Sequence, residues 1–280
     1  MKRQEYHIHG AFVSDGHKGE NGPQGPAQLF QTVSSLPADP LGIDQFEEVS
    51  GKTPSYNNLC DLDRAICTMT HIVAGLEKNK VDVFEREHIV VALKHGNCCG
   101  AAFHKDPTEA IRGALAGDLI AVFGGVVILN FPVTRDVAEN LLYFRQEKGK
   151  RFLAMVVAPS FKREARESFG NSCVLLENAE LLRLNAGHLD TTNLVRPVRG
   201  GFLVQKNYTH VPDFAHDEMA RYGALLPNVV VDMLLGWAVG STSNSNTITL
   251  VRDRRLIANA VGQQDRVGAA RLAVDRGMRS

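Results

Sequence analysis

An unbroken apolar run, His88-Ile89-Val90-Val91-Ala92-Leu93, dictates more about this chain than any other segment. It is rich in β-branched residues and has no polar break after His88, the pattern of a strand buried on both faces. Lys94 and His95 emerge together at its carboxyl end, and Gly96-Asn97-Cys98-Cys99-Gly100 then lets the backbone bend sharply. Ligands of open α/β sheets collect outside the carboxyl ends of strands. An amine and an imidazole delivered there suit proton transfer and charge stabilisation better than they suit packing.

Around this run the hydrophobic period switches repeatedly. From Asp61, the residues Leu62, Ala65, Ile66, Met69, Ile72, Val73 and Leu76 recur at helical spacing, with Asp61 and Asp63 near the start of the predicted helix. Asp106-Pro107-Thr108-Glu109 supplies a capping aspartate, a proline at the first helical position and a glutamate three residues beyond the cap, so a helix is predicted from there to about Gly117. Strands are predicted over 122–129, where Gly124-Gly125 permits close backbone approach, and over 152–158, with a helix over 135–146 between them. This alternation is that of a doubly wound α/β lobe.

Residues 1–55 read as extended or loop structure laid over that core, and 1–194 as one main lobe. A smaller second lobe is expected over 195–280. It would hold a short strand at 202–205, a helix over 229–239, a hairpin of 247–251 with 256–261 whose tip is Arg252-Asp253-Arg254-Arg255, and a last helix.

Bulk composition narrows the partners. Thirty-one basic residues balance thirty-one acidic ones, so no global field favours nucleic acid or a membrane surface. The amino-terminal residues lack the apolar core of a signal peptide, and the most apolar stretch, 229–239, is too short to span a bilayer and contains Asp232. Five cysteines, two of them adjacent, do not form a disulfide framework and predict reduced thiols in the cytoplasm.

Five ordered segments resemble the transformylase part of the bifunctional purine-biosynthesis enzyme, which formylates 5-aminoimidazole-4-carboxamide ribonucleotide. They are Gly19-Glu20-Asn21 with Pro26-Ala27-Gln28-Leu29-Phe30; Ser55-Tyr56-Asn57-Asn58-Leu59-Cys60-Asp61-Leu62-Asp63; Lys94 to Gly100; Gly117-Asp118 leading into Phe123-Gly124-Gly125; and Ser245-Asn246 followed by Gly262-Gln263-Gln264-Asp265-Arg266. The resemblance implies a cytidine-deaminase-like transformylase fold: a mixed sheet flanked by helices, with a smaller second lobe. It implies formyl transfer from 10-formyltetrahydrofolate as co-substrate, a nucleotide-like small-molecule substrate, no metal and a homodimer. Lys94 and His95 match the family's catalytic pair. Asn246, Arg266, Lys18, Gly124 and Gly125 fall at substrate-binding positions.

The chain departs from the family pattern in several places. His17-Lys18 stands where the family carries Arg-Tyr, Ala154 replaces an acidic residue, and Ser241 replaces a lysine. The family also continues beyond the position of Ser280 with a phenylalanine-rich segment. These departures leave a second reading open, a catalytically weakened homologue that binds a nucleotide-like ligand or acts as an assembly partner. A zinc site from His95, Cys98 and Cys99 is a third reading. It lacks the His-x-Glu and Pro-Cys-x-x-Cys pattern of the zinc deaminases.

Overall fold

The computed structural model describes residues 6–279, except 17, 22, 34–36, 82–86, 215 and 217–225. His17, singled out above, lies outside the described residues, as does Ser280. Three short strands come first: β1 (Gly10–Gly16), β2 (Ala27–Thr32) and β3 (Glu47–Ser50). α1 (Tyr56–Lys78) leads to β4 (His88–Lys94), β5 (Asn97–His104), α2 (Pro107–Ala116), β6 (Val126–Leu129), α3 (Arg135–Tyr143), β7 (Met155–Ala158), α4 (Arg163–Phe169) and β8 (Val174–Glu177). β9 (Asn193–Val198), β10 (Gly201–Lys206), α5 (Pro227–Ser241), β11 (Ile248–Arg252), β12 (Arg255–Ala260) and α6 (Arg266–Gly277) complete the chain.

Eight strands form one mixed sheet in the order β11-β12-β5-β4-β6-β7-β8-β3. Among neighbouring strands of the sheet, parallel pairing is confined to β6 with β7 and β7 with β8. β4 is antiparallel to both its neighbours, β5 and β6, so the doubly wound pattern expected from the sequence holds for just part of the sheet. β4 is central because both its faces are apolar. Ile89, Val91 and Leu93 belong to the core layer that holds the buried residues of α1 and α5, while Val90 and Ala92 belong to the layer that holds those of α2, α3 and α4. Fully burying one such side chain is worth about 1.5–3 kcal/mol, so these two core layers fix the position of the strand firmly.

Several expected boundaries move. α1 begins at Tyr56 rather than Asp61, because Ser55 and Asn58 form a reciprocal capping box. Asp61 and Asp63 therefore lie past the first turn, where the helix dipole no longer explains them. Residues 119–124 are turn, so the strand predicted from 122 starts at Val126, and the one predicted from 152 starts at Met155. The segment before residue 55 holds an antiparallel hairpin, β1 with β2, and an edge strand, β3, paired to β8. Beyond residue 195, β11 and β12 extend the main sheet through β5, and β9 with β10 forms a separate two-stranded ribbon.

Candidate active site

β4 and β5 are joined by the shortest connection available. Lys94 pairs with Asn97, leaving His95 and Gly96 as a two-residue turn. Both have positive φ, 54° and 72°, the requirement of a tight hairpin turn that follows strand twist. Glycine meets it freely. Histidine is held in the left-handed region by its surroundings. The holder is Asp61, on the second turn of α1: its carboxylate accepts from the Gly96 N–H at 2.5 Å and the His95 N–H at 3.2 Å. Burial raises the Asp61 carboxyl above its ordinary range, against those two N–H groups and the nearby charges of His95 and Lys94. The side-chain amide of Asn97 closes the turn from its other side, donating to the His95 carbonyl at 2.9 Å. The His95 ring is left exposed.

Lys94 is fixed independently. Pairing of Leu93 with Val126 carries the register on so that Lys94 lies across from Gly125. The ammonium reaches back over that turn and donates to the Phe123 carbonyl at 2.6 Å. A lysine ammonium has three N–H donors, so one anchors it and two remain for a ligand. Gly124, with φ of 73°, would place a Cβ 3.9 Å from Lys94 Nζ, and a Cβ at Gly125 would meet the Leu93 carbonyl at 2.7 Å. The two glycines thus let backbone approach the amine closely. Phe123 and Phe152 stand beside this turn as a tilted, exposed pair, ring centroids 5.8 Å apart. In the sequence Phe152 reads only as the first residue of a strand. Its signal was an aromatic residue just outside a buried run.

Asn246 and Arg266 line a common cavity of about 320 Å³ between the end of α5, the start of β11 and the start of α6. The Asn246 amide donates to the Gln263 and Gln264 carbonyls at 3.0 and 3.3 Å, so its carbonyl oxygen is what it can offer a ligand. Arg266 is exposed at the first position of α6. A bond between Asn244 and Asn97 (3.2 Å) ties this loop to the turn that carries His95. Lys18 is exposed, and its backbone carbonyl accepts from the Tyr56 N–H at the start of α1, the helix that carries Asp61. The structure therefore groups Lys94 with Gly124 and Gly125, and Asn246 with Arg266; His95 follows Lys94 in the chain, on the turn that the Asn97–Asn244 bond ties to the Asn246 loop. Lys18 is tied to α1 by its bond to Tyr56.

Cys98 and Cys99 face opposite sides of β5, as neighbours on a strand must. Their thiols donate to the Gly100 and Ala92 carbonyls, and burial pushes the Cys98 thiol up to about 12. Among the described residues no group of three or more His, Cys, Asp or Glu is placed to hold a metal ion.

The model of the AICARFT/IMPCHase bienzyme family matches residues 3–276. The chain belongs to this family. Among its curated members it is similar to the bifunctional purine biosynthesis protein PurH of Nostoc punctiforme, 31% identical over 276 residues, which is 98% of this chain and 48% of that protein. The PurH proteins of another Nostoc species and of Prochlorococcus marinus are 29% and 31% identical, with 98% and 84% of this chain covered and 48% and 43% of theirs. The chain thus spans about half the length of the family members it matches.

Proposed function

We propose that this chain transfers the formyl group of 10-formyltetrahydrofolate to the 5-amino group of 5-aminoimidazole-4-carboxamide ribonucleotide or a close analogue, a step of purine biosynthesis. One observation carries the reading. The Lys94–His95 pair is delivered by the central strand and fixed by separate anchors, Phe123 for the lysine and Asp61 for the histidine turn. Membership of the family, and the name of its PurH members, support the reaction class.

In this reading the amine nitrogen attacks the formyl carbon, and the carbonyl electrons move to oxygen. The Lys94 ammonium faces the developing oxyanion with its two uncommitted donors. The exposed His95 imidazole takes the proton that the attacking amine must lose. Collapse of the tetrahedral intermediate re-forms the carbonyl and expels the folate nitrogen, which takes up the proton that His95 accepted. Gly124 and Gly125 let the substrate approach backbone. Asn246 presents an amide oxygen, and Arg266 and Lys18 supply cations for the phosphate.

We further assign the fold to the cytidine-deaminase-like transformylase class, the location to the cytoplasm and the assembly to a homodimer. Five unpaired cysteines fit a reducing compartment. The β9–β10 ribbon exposes Leu194, Phe202, Leu203 and Val204, and an isolated pair of strands is marginal in water, which favours a covering protomer. No described helix is long and apolar enough to cross a membrane.

The test is to mix the full chain with both substrates and follow formylated nucleotide by mass. Turnover proportional to enzyme supports the proposal. Nucleotide binding in calorimetry without product at any enzyme concentration overturns it in favour of a binding homologue.

A further inference from the structure

A second cavity, also about 320 Å³, shares no lining residue with the one that holds Asn246 and Arg266. The charged side chains lining it are Arg145, Arg252 and Arg255, with no carboxylate among its lining residues, and apolar residues such as Leu250 and Ile257 complete its wall. Three arginines around one hollow are either satisfied structurally or held ready for an anion.

Each guanidinium shows what engages it. Arg145 stacks on the Phe144 ring at 5.3 Å, an arrangement that orients the fork without neutralising it. Arg252 has a loose, exposed contact with Asp253 at 3.7 Å, which screening by water makes weak. Arg255 makes no ion pair among the described residues, and its Nε is buried without a hydrogen-bond partner. That nitrogen is closed to the cavity, so the terminal nitrogens of the Arg255 fork are what the residue presents to a ligand there.

Helix ends do not account for the charge. The final residues of α2 and α6, Ala116 and Gly277, line the cavity, and Arg145 lies two residues beyond α3. Three helix carboxyl ends carry together about −1.5 elementary charges against three full positive ones, so a clear positive excess remains. We propose that this cavity binds the phosphate or diphosphate group of a small metabolite whose apolar part rests on the Leu250–Ile257 wall. Guanidinium forks match phosphate oxygens in pairs, and three of them suit a multiply charged anion.

The experiment titrates inorganic pyrophosphate, and separately ADP, into the full chain while following the arginine Nε–Hε signals by ¹⁵N NMR and heat by calorimetry. The expected result is a saturable shift of the Arg255 signal. Affinity should fall by about tenfold or more in Arg255→Gln, fall less in Arg255→Lys, and stay unchanged in Arg266→Gln. Thermal midpoints of each variant show whether it is folded, and Arg145→Gln, on an exposed residue, gives an independent loss of binding. An unmoved Arg255 signal, or affinity within about twofold of the parent in both glutamine variants, overturns the proposal. So does loss of binding in Arg266→Gln alone, which would place the anion at the candidate active site. The inference does not depend on the formyl-transfer reading, because none of these readouts involves turnover.

Discussion

Asp61 is 6% exposed, and two backbone N–H groups of the His95-Gly96 turn hold its carboxylate there. Removing it leaves both N–H groups without that acceptor and releases a histidine from positive φ. Asp61→Ala is expected to cost about 1–3 kcal/mol in urea unfolding and to lower turnover, since the His95 ring loses its fixed base. Burial raises this carboxyl, so the folded state holds its proton more tightly than the unfolded chain does. Its contribution is therefore complete below the unfolded pKa of about 4 and is lost as pH rises through the higher folded value. The amide introduced by Asp61→Asn does not titrate, so the stability of wild type relative to that variant should decline as pH rises through the same window. A gap that widens with pH would show that the carboxylate, not the acid, is the favoured form. Lys94 and His95 were legible in the sequence as a pair at a strand end. Asp61 was not, because its carboxylate made equal sense as a helix-start charge until the capping box moved the start back to Tyr56.

Local signals identified elements where one residue's chemistry decided them. Asp106 accepts from the Thr108 and Glu109 N–H groups, and the helix runs as its aspartate-proline start indicated. β5 escaped because its turn uses His95 where asparagine or aspartate would announce a two-residue hairpin. The apolar pattern overextends β6 because Val122 is fully buried although it sits in a turn. The meeting of Lys94 with Gly124 and Gly125 depends on β4 pairing antiparallel with β6, a contact that no local pattern encodes. The same turn gives an element-level prediction. Gly125→Ala drives a Cβ to 2.7 Å from the Leu93 carbonyl and should lower stability by about 1–3 kcal/mol, while Gly124→Ala meets nothing nearer than 3.7 Å and costs only the strain of its positive φ, about 1–2 kcal/mol. Calorimetric melting of both variants checks the order. A Gly125 variant as stable as the parent would mean that the strand end is not closely packed.

Two core layers and one eight-stranded sheet make the scaffold, and the β9–β10 ribbon stands outside that sheet with Leu203 61% exposed. If a second copy covers it, Phe202→Asp with Leu203→Asp should shift the sedimentation of the chain from dimer to monomer. A parent chain that sediments as a monomer at micromolar concentration would remove the homodimer assignment. The sequence could name the apolar ribbon residues in part, at 202–205, but not that they lie outside the sheet. The Lys94–His95 assignment is tested most sharply by single-turnover transfer of a labelled formyl group in the parent chain, Lys94→Met and His95→Ala, with nucleotide affinity measured in parallel. Transfer should slow by about 10²–10⁴-fold in each variant with affinity nearly intact. Transfer at the parental rate in either variant would contradict the assignment.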